Sequence, residues 1–141
     1  MIAVDTNILI DLLGDDPRAD AAEAALRLAL TSGPVVACEV VIAEVTAGLG
    51  HGGEVMDALE DMGLGYAAID ARAAVRAGEM QRKYTQRRLE SGNTAPMPRA
   101  IPDFLVGAHA LLQCEALITR DQGFYRDYFK GLRIIVPAAS T

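Results

Sequence analysis

The chain has 141 residues, 51% of them hydrophobic, with no Trp and a net charge of −6. That length suits one domain with a sizeable core, built mainly from Ala, Val, Leu and Ile. The acid excess argues against a protein coated in phosphate-binding cations, and no apolar run nears the roughly 18 residues of a membrane span.

Residues 2–4, Ile-Ala-Val, read as a short buried strand ending at Asp5. Asp5 and Thr6 offer a cap for a helix to about Leu13, and Gly14-Asp15-Asp16-Pro17 makes a turn. Residues 19–31 are Ala- and Leu-rich at helical spacing, broken by Gly33-Pro34. Val35–Ala37 is a second strand. Helices are expected over 39–49 and 53–62, each closed by glycines, then a third strand over Tyr66–Ile69. Asp70 caps a long helix over 71–90, and 91–100 is a Pro- and Gly-containing loop. Pro102 opens an almost wholly apolar helix to about Cys114, followed by a strand at 116–119, a short helix at 123–129 and a last strand at 132–136. Short, continuously apolar strands alternating with helices predict a three-layer α/β/α sandwich with a central parallel sheet, as one domain over 1–141.

Four carboxylates stand out against this apolar frame. Asp5 and Asp121 follow strands, Asp103 opens the apolar helix, and Glu44 interrupts VVIAEVTAGL. Ligands of open parallel sheets bind at the carboxyl ends of the strands, where these four can meet. Acids held close together raise one another's pKa, and a divalent cation resolves that conflict. An all-oxygen site suits Mg²⁺ or Mn²⁺ and phosphodiester hydrolysis. Taken singly, each acid has a plainer role: Asp5 and Asp103 as helix caps, Asp121 in a turn, Glu44 facing solvent.

Basic residues concentrate in one place. Seven of the 13 lie within 72–99, opposed only by Glu79 and Glu90. At about 100° per residue, Arg72, Arg76, Lys83 and Arg87 share a stripe some 60° wide, which can follow a phosphate backbone or serve as a solvated face. Arg99 and Arg120 adjoin the acids and are candidates for substrate phosphates. His51 and His109 lack a partnered Ser or Cys, and Cys38 and Cys114 read as reduced core thiols without metal-ligand spacing. No basic leader precedes the first apolar stretch, and the expected location is the cytoplasm.

The blocks VDTNILIDLL, VIAEVTAGL, IPDFLVGAHAL and LITRDQGFYRDYF, in that order, closely resemble the PIN-domain family, and within it the VapC toxins of bacterial toxin–antitoxin pairs. The resemblance runs from Ile2 to Pro137. It implies an Mg²⁺- or Mn²⁺-dependent endoribonuclease whose metal ligands fall on Asp5, Glu44, Asp103 and Asp121, with Asn7 and Thr119 steadying the first and last acids. It also implies an RNA substrate, a homodimer and a cognate antitoxin protein as partner. Two positions depart from the family pattern. Phe124 stands where many members carry a further acid, which Asp127 replaces only if the chain turns back after Gly123. Glu39 stands where many carry a small hydroxyl residue, and reads as a cap or rim charge.

Other classes compete. The same fold serves as a non-catalytic module that takes a basic partner in its acidic groove. A phospho-accepting receiver needs a Lys near its last strand, and LRIIVP has none; a haloacid-type phosphatase needs an Asp where Asn7 stands.

Overall fold

The computed structural model describes residues 1–14, 16–92 and 99–138. The turn residue Asp15 and the middle of the 91–100 loop therefore lie outside the described residues.

Among the described residues, five strands form one sheet: β1 (Ile2–Val4), β2 (Val35–Ala37), β3 (Gly65–Tyr66), β4 (Ala116–Ile118) and β5 (Arg133–Ile135). Their order is β3-β2-β1-β4-β5 and every pairing is parallel. In the register, Ile2 faces Val35 on one side and Ala116 on the other. β1, β2 and β4 are buried at every residue, although successive side chains point to opposite faces. Both faces are therefore covered, which makes the architecture an α/β/α sandwich.

The helices among the described residues are α1 (Thr6–Leu13), α2 (Ala19–Ser32), α3 (Glu39–Leu49), α4 (Gly52–Asp61), α5 (Ala71–Glu90), α6 (Ile101–Gln113) and α7 (Gln122–Tyr128). Local chemistry sets their ends. The Asp5 carboxylate accepts the Thr6 N–H (2.8 Å) at the start of α1, and that of Asp70 accepts the Ala73 N–H (2.8 Å) at the start of α5. α3 closes on Gly50, whose φ of 84° is left-handed and favours a residue without Cβ. α2 turns Ala22, Leu26 and Ala29 inward at helical spacing. α5 and α6 pack antiparallel: Tyr84 meets Phe104 near the start of α6, while Arg72 and Val75 lie beside Leu112 near its end.

The core is largely aliphatic, as composition implies, but the few aromatic residues are not scattered. Tyr84, Phe104, Phe124, Tyr125, Tyr128 and Phe129 form one network, with ring centroids 5.0–6.5 Å apart. It joins α5, α6 and α7.

The third strand corrects the expectation over 66–69. β3 covers only Gly65–Tyr66, both exposed at the sheet edge. Side chains take over the backbone groups that follow. Glu39 accepts the Ile69 N–H (2.9 Å), and Gln113 spans Ala68 O and the Asp70 N–H (2.9 Å each). Glu39 is thus a brace for the segment entering α5. The last strand is also shorter than 132–136, at Arg133–Ile135. No helix of the described residues is long and apolar enough to cross a membrane.

Candidate active site

Strand order reverses around β1: β2 lies on one side and β4 on the other. Such a switch point opens a crevice at the carboxyl ends of the two strands. Asp5 leaves β1 there, and Thr119 to Asp121 leave β4, tied together by the Asp5 N–H to Ile118 O bond of 2.9 Å.

Asp5 is 7% exposed. Its Oδ2 accepts from the Thr119 hydroxyl (2.7 Å), the Tyr125 hydroxyl (3.1 Å) and Asn7 Nδ2 (3.3 Å), while Oδ1 accepts the Thr6 N–H. Burial raises the Asp5 pKa, the donors from Thr119, Thr6 and Tyr125 oppose that rise, and the charge of Asp103 adds to it. The Thr119 oxygen also accepts from Asn7 Nδ2 (3.3 Å) and from the Asp121 N–H (3.0 Å), so one buried hydroxyl bridges the acids that follow β1 and β4. Nothing in the sequence distinguishes Tyr125 from a core aromatic, since it lies in the run Phe124-Tyr125. Its hydroxyl pKa lies far above the ordinary value, raised by burial and then by the charges of Asp5 and Asp103.

The other three acids connect to this one in turn, Asp103 by its charge, Asp121 through Thr119 and Glu44 through Thr6. Asp103 occupies the first turn of α6, where its carboxylate accepts the Ala100 N–H (3.3 Å). Its pKa is raised by burial first, and also by the charge of Asp121, against the Ala100 bond and the Arg99 charge. Asp121 accepts from Arg99 Nη1. Glu44 reaches the site from α3 by accepting the Thr6 hydroxyl (2.8 Å). Asp5, Asp103 and Asp121 are thus linked by charge and by Thr119, while Glu44 is joined to them only through Thr6.

The cations divide. Arg99 sits on Asp121 with its guanidinium 4.4 Å from the centre of the Phe124 ring. Burial lowers the Arg99 pKa, but the Asp121 bond and charge outweigh it and hold it above the ordinary value. Arg120 faces away from the acids toward Asp11, to which it donates from Nε (2.6 Å) and Nη2 (3.2 Å). On α5, Lys83 and Arg87 are exposed, and Arg87 lies 5.1 Å over the Tyr128 ring. Arg72 and Arg76 line a shallow groove beside Leu112. Leu112 is nine residues beyond Asp103, roughly 13 Å along α6, so these two are remote from the acids. Phe124 is buried in the aromatic network, and the chain runs on through α7 without turning back, leaving Asp127 exposed. The two cysteines are free, and burial raises the thiol pKa of both, to about 11 for Cys114.

The residues suit a hard divalent cation in one respect and stand short of it in another. The donors are all carboxylate oxygens, and two of the four have pKa values raised by burial and by neighbouring carboxylate charge. Among the described residues, however, no three Asp, Glu, His or Cys side chains converge as a formed metal-binding group. Asp121 is held by Arg99 and Glu44 by Thr6 instead.

Fold and site define an α/β protein with an acidic crevice at the carboxyl edge of its sheet. The sequence matches the PIN domain family over residues 2–130, and the chain belongs to that family. It is similar in fold to a VapBC2 structure from Rickettsia felis, solved bound to a DNA fragment from the promoter (TM-score 0.72, 20% identity, 96% of this chain and 98% of that one). A FitAcB structure from Neisseria gonorrhoeae gives 0.65 at 20% identity over 97% and 98%. VapC20 of Mycobacterium tuberculosis, a toxin that cleaves the sarcin–ricin loop, gives 0.61 at 18% over 94% and 99%. No curated protein matches the sequence.

Proposed function

We propose that this PIN-domain chain is a VapC-type toxin, an endoribonuclease that hydrolyses RNA phosphodiester bonds with Mg²⁺ or Mn²⁺. One observation carries the reading: at the β1–β4 switch point Asp5 is buried and held by three side-chain donors, the charge of Asp103 bears on it and that of Asp121 on Asp103, and Glu44 joins through Thr6. The similar folds of VapBC2, FitAcB and VapC20, and the RNA-cleaving role in the description of the last, point the same way.

In this reading the four acids would hold the cation, and its chemistry would be to acidify water and offset negative charge at the phosphodiester. The chain's own contribution is orientation. Thr119, Tyr125 and Asn7 load Asp5 Oδ2 and fix the plane of its carboxylate. The Thr119 bridge sets Asp121 relative to Asp5. Arg99, with its side chain 26% exposed and over the Phe124 ring, would exchange Asp121 for a substrate phosphate. Lys83 and Arg87, at the end of α5 nearer the acids, extend the phosphate track, with Arg72 and Arg76 farther along the helix. A cognate antitoxin covering the acidic crevice and a homodimer complete the proposal.

A second reading has one observation of its own. Asp121 already receives a guanidinium, as it would from the arginine of a partner on a non-catalytic module. RNA incubation separates the two. The purified chain with Mn²⁺ or Mg²⁺ should yield discrete RNA fragments that vanish with EDTA and with Asp5→Asn. Equal behaviour of wild type and Asp5→Asn across several RNA classes would leave the binding module standing.

A further inference from the structure

Asp11 is 2% exposed on α1, and a carboxylate so deeply placed is costly unless paired. Its partner is Arg120, bound through Nε at 2.6 Å and Nη2 at 3.2 Å, one nitrogen to each oxygen. One turn earlier on the same face of α1, Asn7 Oδ1 accepts the Arg120 N–H (3.3 Å). Residue 120 is therefore gripped by backbone and side chain from a single helix face. Its neighbours are the two residues the site depends on. Thr119 donates to Asp5, and Asp121 is held through its N–H by the Thr119 oxygen.

We infer that Asp11 and Arg120 are a positioning pair, a clamp between α1 and the β4–α7 turn that fixes Asp121 at its distance from Asp5 without touching substrate. The inference rests on the nuclease reading and assigns these two residues a role within it. It also removes Arg120 from the set of phosphate-binding cations, because its guanidinium donors are directed at Asp11.

The test uses the full-length chain with four substitutions: Arg120→Lys, Arg120→Leu, Asp11→Asn and the double Asp11→Leu/Arg120→Leu. The double variant leaves no buried charge unpaired and so keeps the fold testable where single variants unfold. Thermal melting, Mn²⁺ affinity by calorimetry, and kcat and KM on RNA are measured for each. A clamp predicts losses of about 10- to 100-fold in kcat and in Mn²⁺ affinity with KM little changed. It also predicts a double variant no worse than the more affected folded single, because the two act as one unit. Arg120→Lys should fall short of wild type, since one ammonium cannot span both oxygens.

Two results overturn the inference. A folded double variant with wild-type kcat and Mn²⁺ affinity makes the pair a fold element only. A rise in KM and a flatter salt dependence in Arg120→Leu, with Asp11→Asn unaffected, makes Arg120 a phosphate contact. If wild type cleaves no better than Asp5→Asn, the nuclease reading fails by itself, and Mn²⁺ affinity still judges the clamp. Wild type that neither cleaves RNA nor binds Mn²⁺ overturns both.

Discussion

His109 shows how a single buried side chain ties stability to pH. It is 1% exposed, and its Nε2 has no hydrogen-bond partner among the described residues. Burial lowers its pKa from 6.5, against opposing effects of the Ala67 backbone, Glu39 and Asp70. The unfolded chain therefore binds a proton near the ordinary value while the folded chain resists it. Stability from this group is intact above the unfolded pKa and is lost as pH falls below it. Replacing His109 with Leu should flatten the wild-type loss of melting temperature between about pH 8 and about pH 5, compared at each pH so that carboxylates cancel. An unchanged difference between the two proteins across that range would contradict it. At the same scale, Asp5, Glu44, Asp103 and Asp121 were legible because an acid in an apolar segment demands a reason. Tyr125 and Asp11 were not. Their roles depend on a carboxylate partner 120 residues from Tyr125 and a guanidinium partner 109 residues from Asp11, and nothing local records such distances.

Helices carry their limits in local chemistry, which explains why α3 and α5 fall at the residues expected. A cap and a following glycine act within one turn. β3 failed for the opposite reason. The apolar run Ala67–Ile69 has strand composition, but Glu39 and Gln113 claim its backbone groups. On α6, Gly107 marks a close approach that composition does not disclose. A Cβ there would come within 2.3 Å of the Phe129 ring. Gly107→Ala is thus expected to destabilise the fold by about 1–3 kcal/mol despite the better helix propensity of Ala. Chemical denaturation measures the loss, and Phe129→Leu in the same chain should recover part of it. A Gly107→Ala protein as stable as wild type would mean α6 and Phe129 sit farther apart.

Across the molecule, folding divides what looked like one basic stripe. Arg72, Arg76, Lys83 and Arg87 lie within about 60° on a helical wheel. Because α5 runs antiparallel to α6, Arg87 meets Tyr128 at the end nearer the acids while Arg72 and Arg76 flank Leu112. If RNA follows the acidic crevice, neutralising Lys83 and Arg87 together should weaken binding and reduce the salt dependence of affinity by roughly 1 to 2 in log–log slope. Neutralising Arg72 and Arg76 should change it less, as a fluorescence titration at several salt concentrations would reveal. Equal effects from the two pairs would mean the track runs the length of the helix.

Local sequence is enough to read the class of fold and to single out four acids that stand in or beside apolar segments. Periodicity, caps and breakers act over a few residues, and buried strands advertise themselves as unbroken apolar runs. Which partners those residues take depends on the folded arrangement. Parallel pairing brings residue 119 beside residue 5, packing sets the partly exposed Arg120 on the buried Asp11, and Phe124 receives Arg99 on its ring. Hydrogen bonds and ion pairs depend on distances of about 3 Å in space, which separation along the chain does not encode.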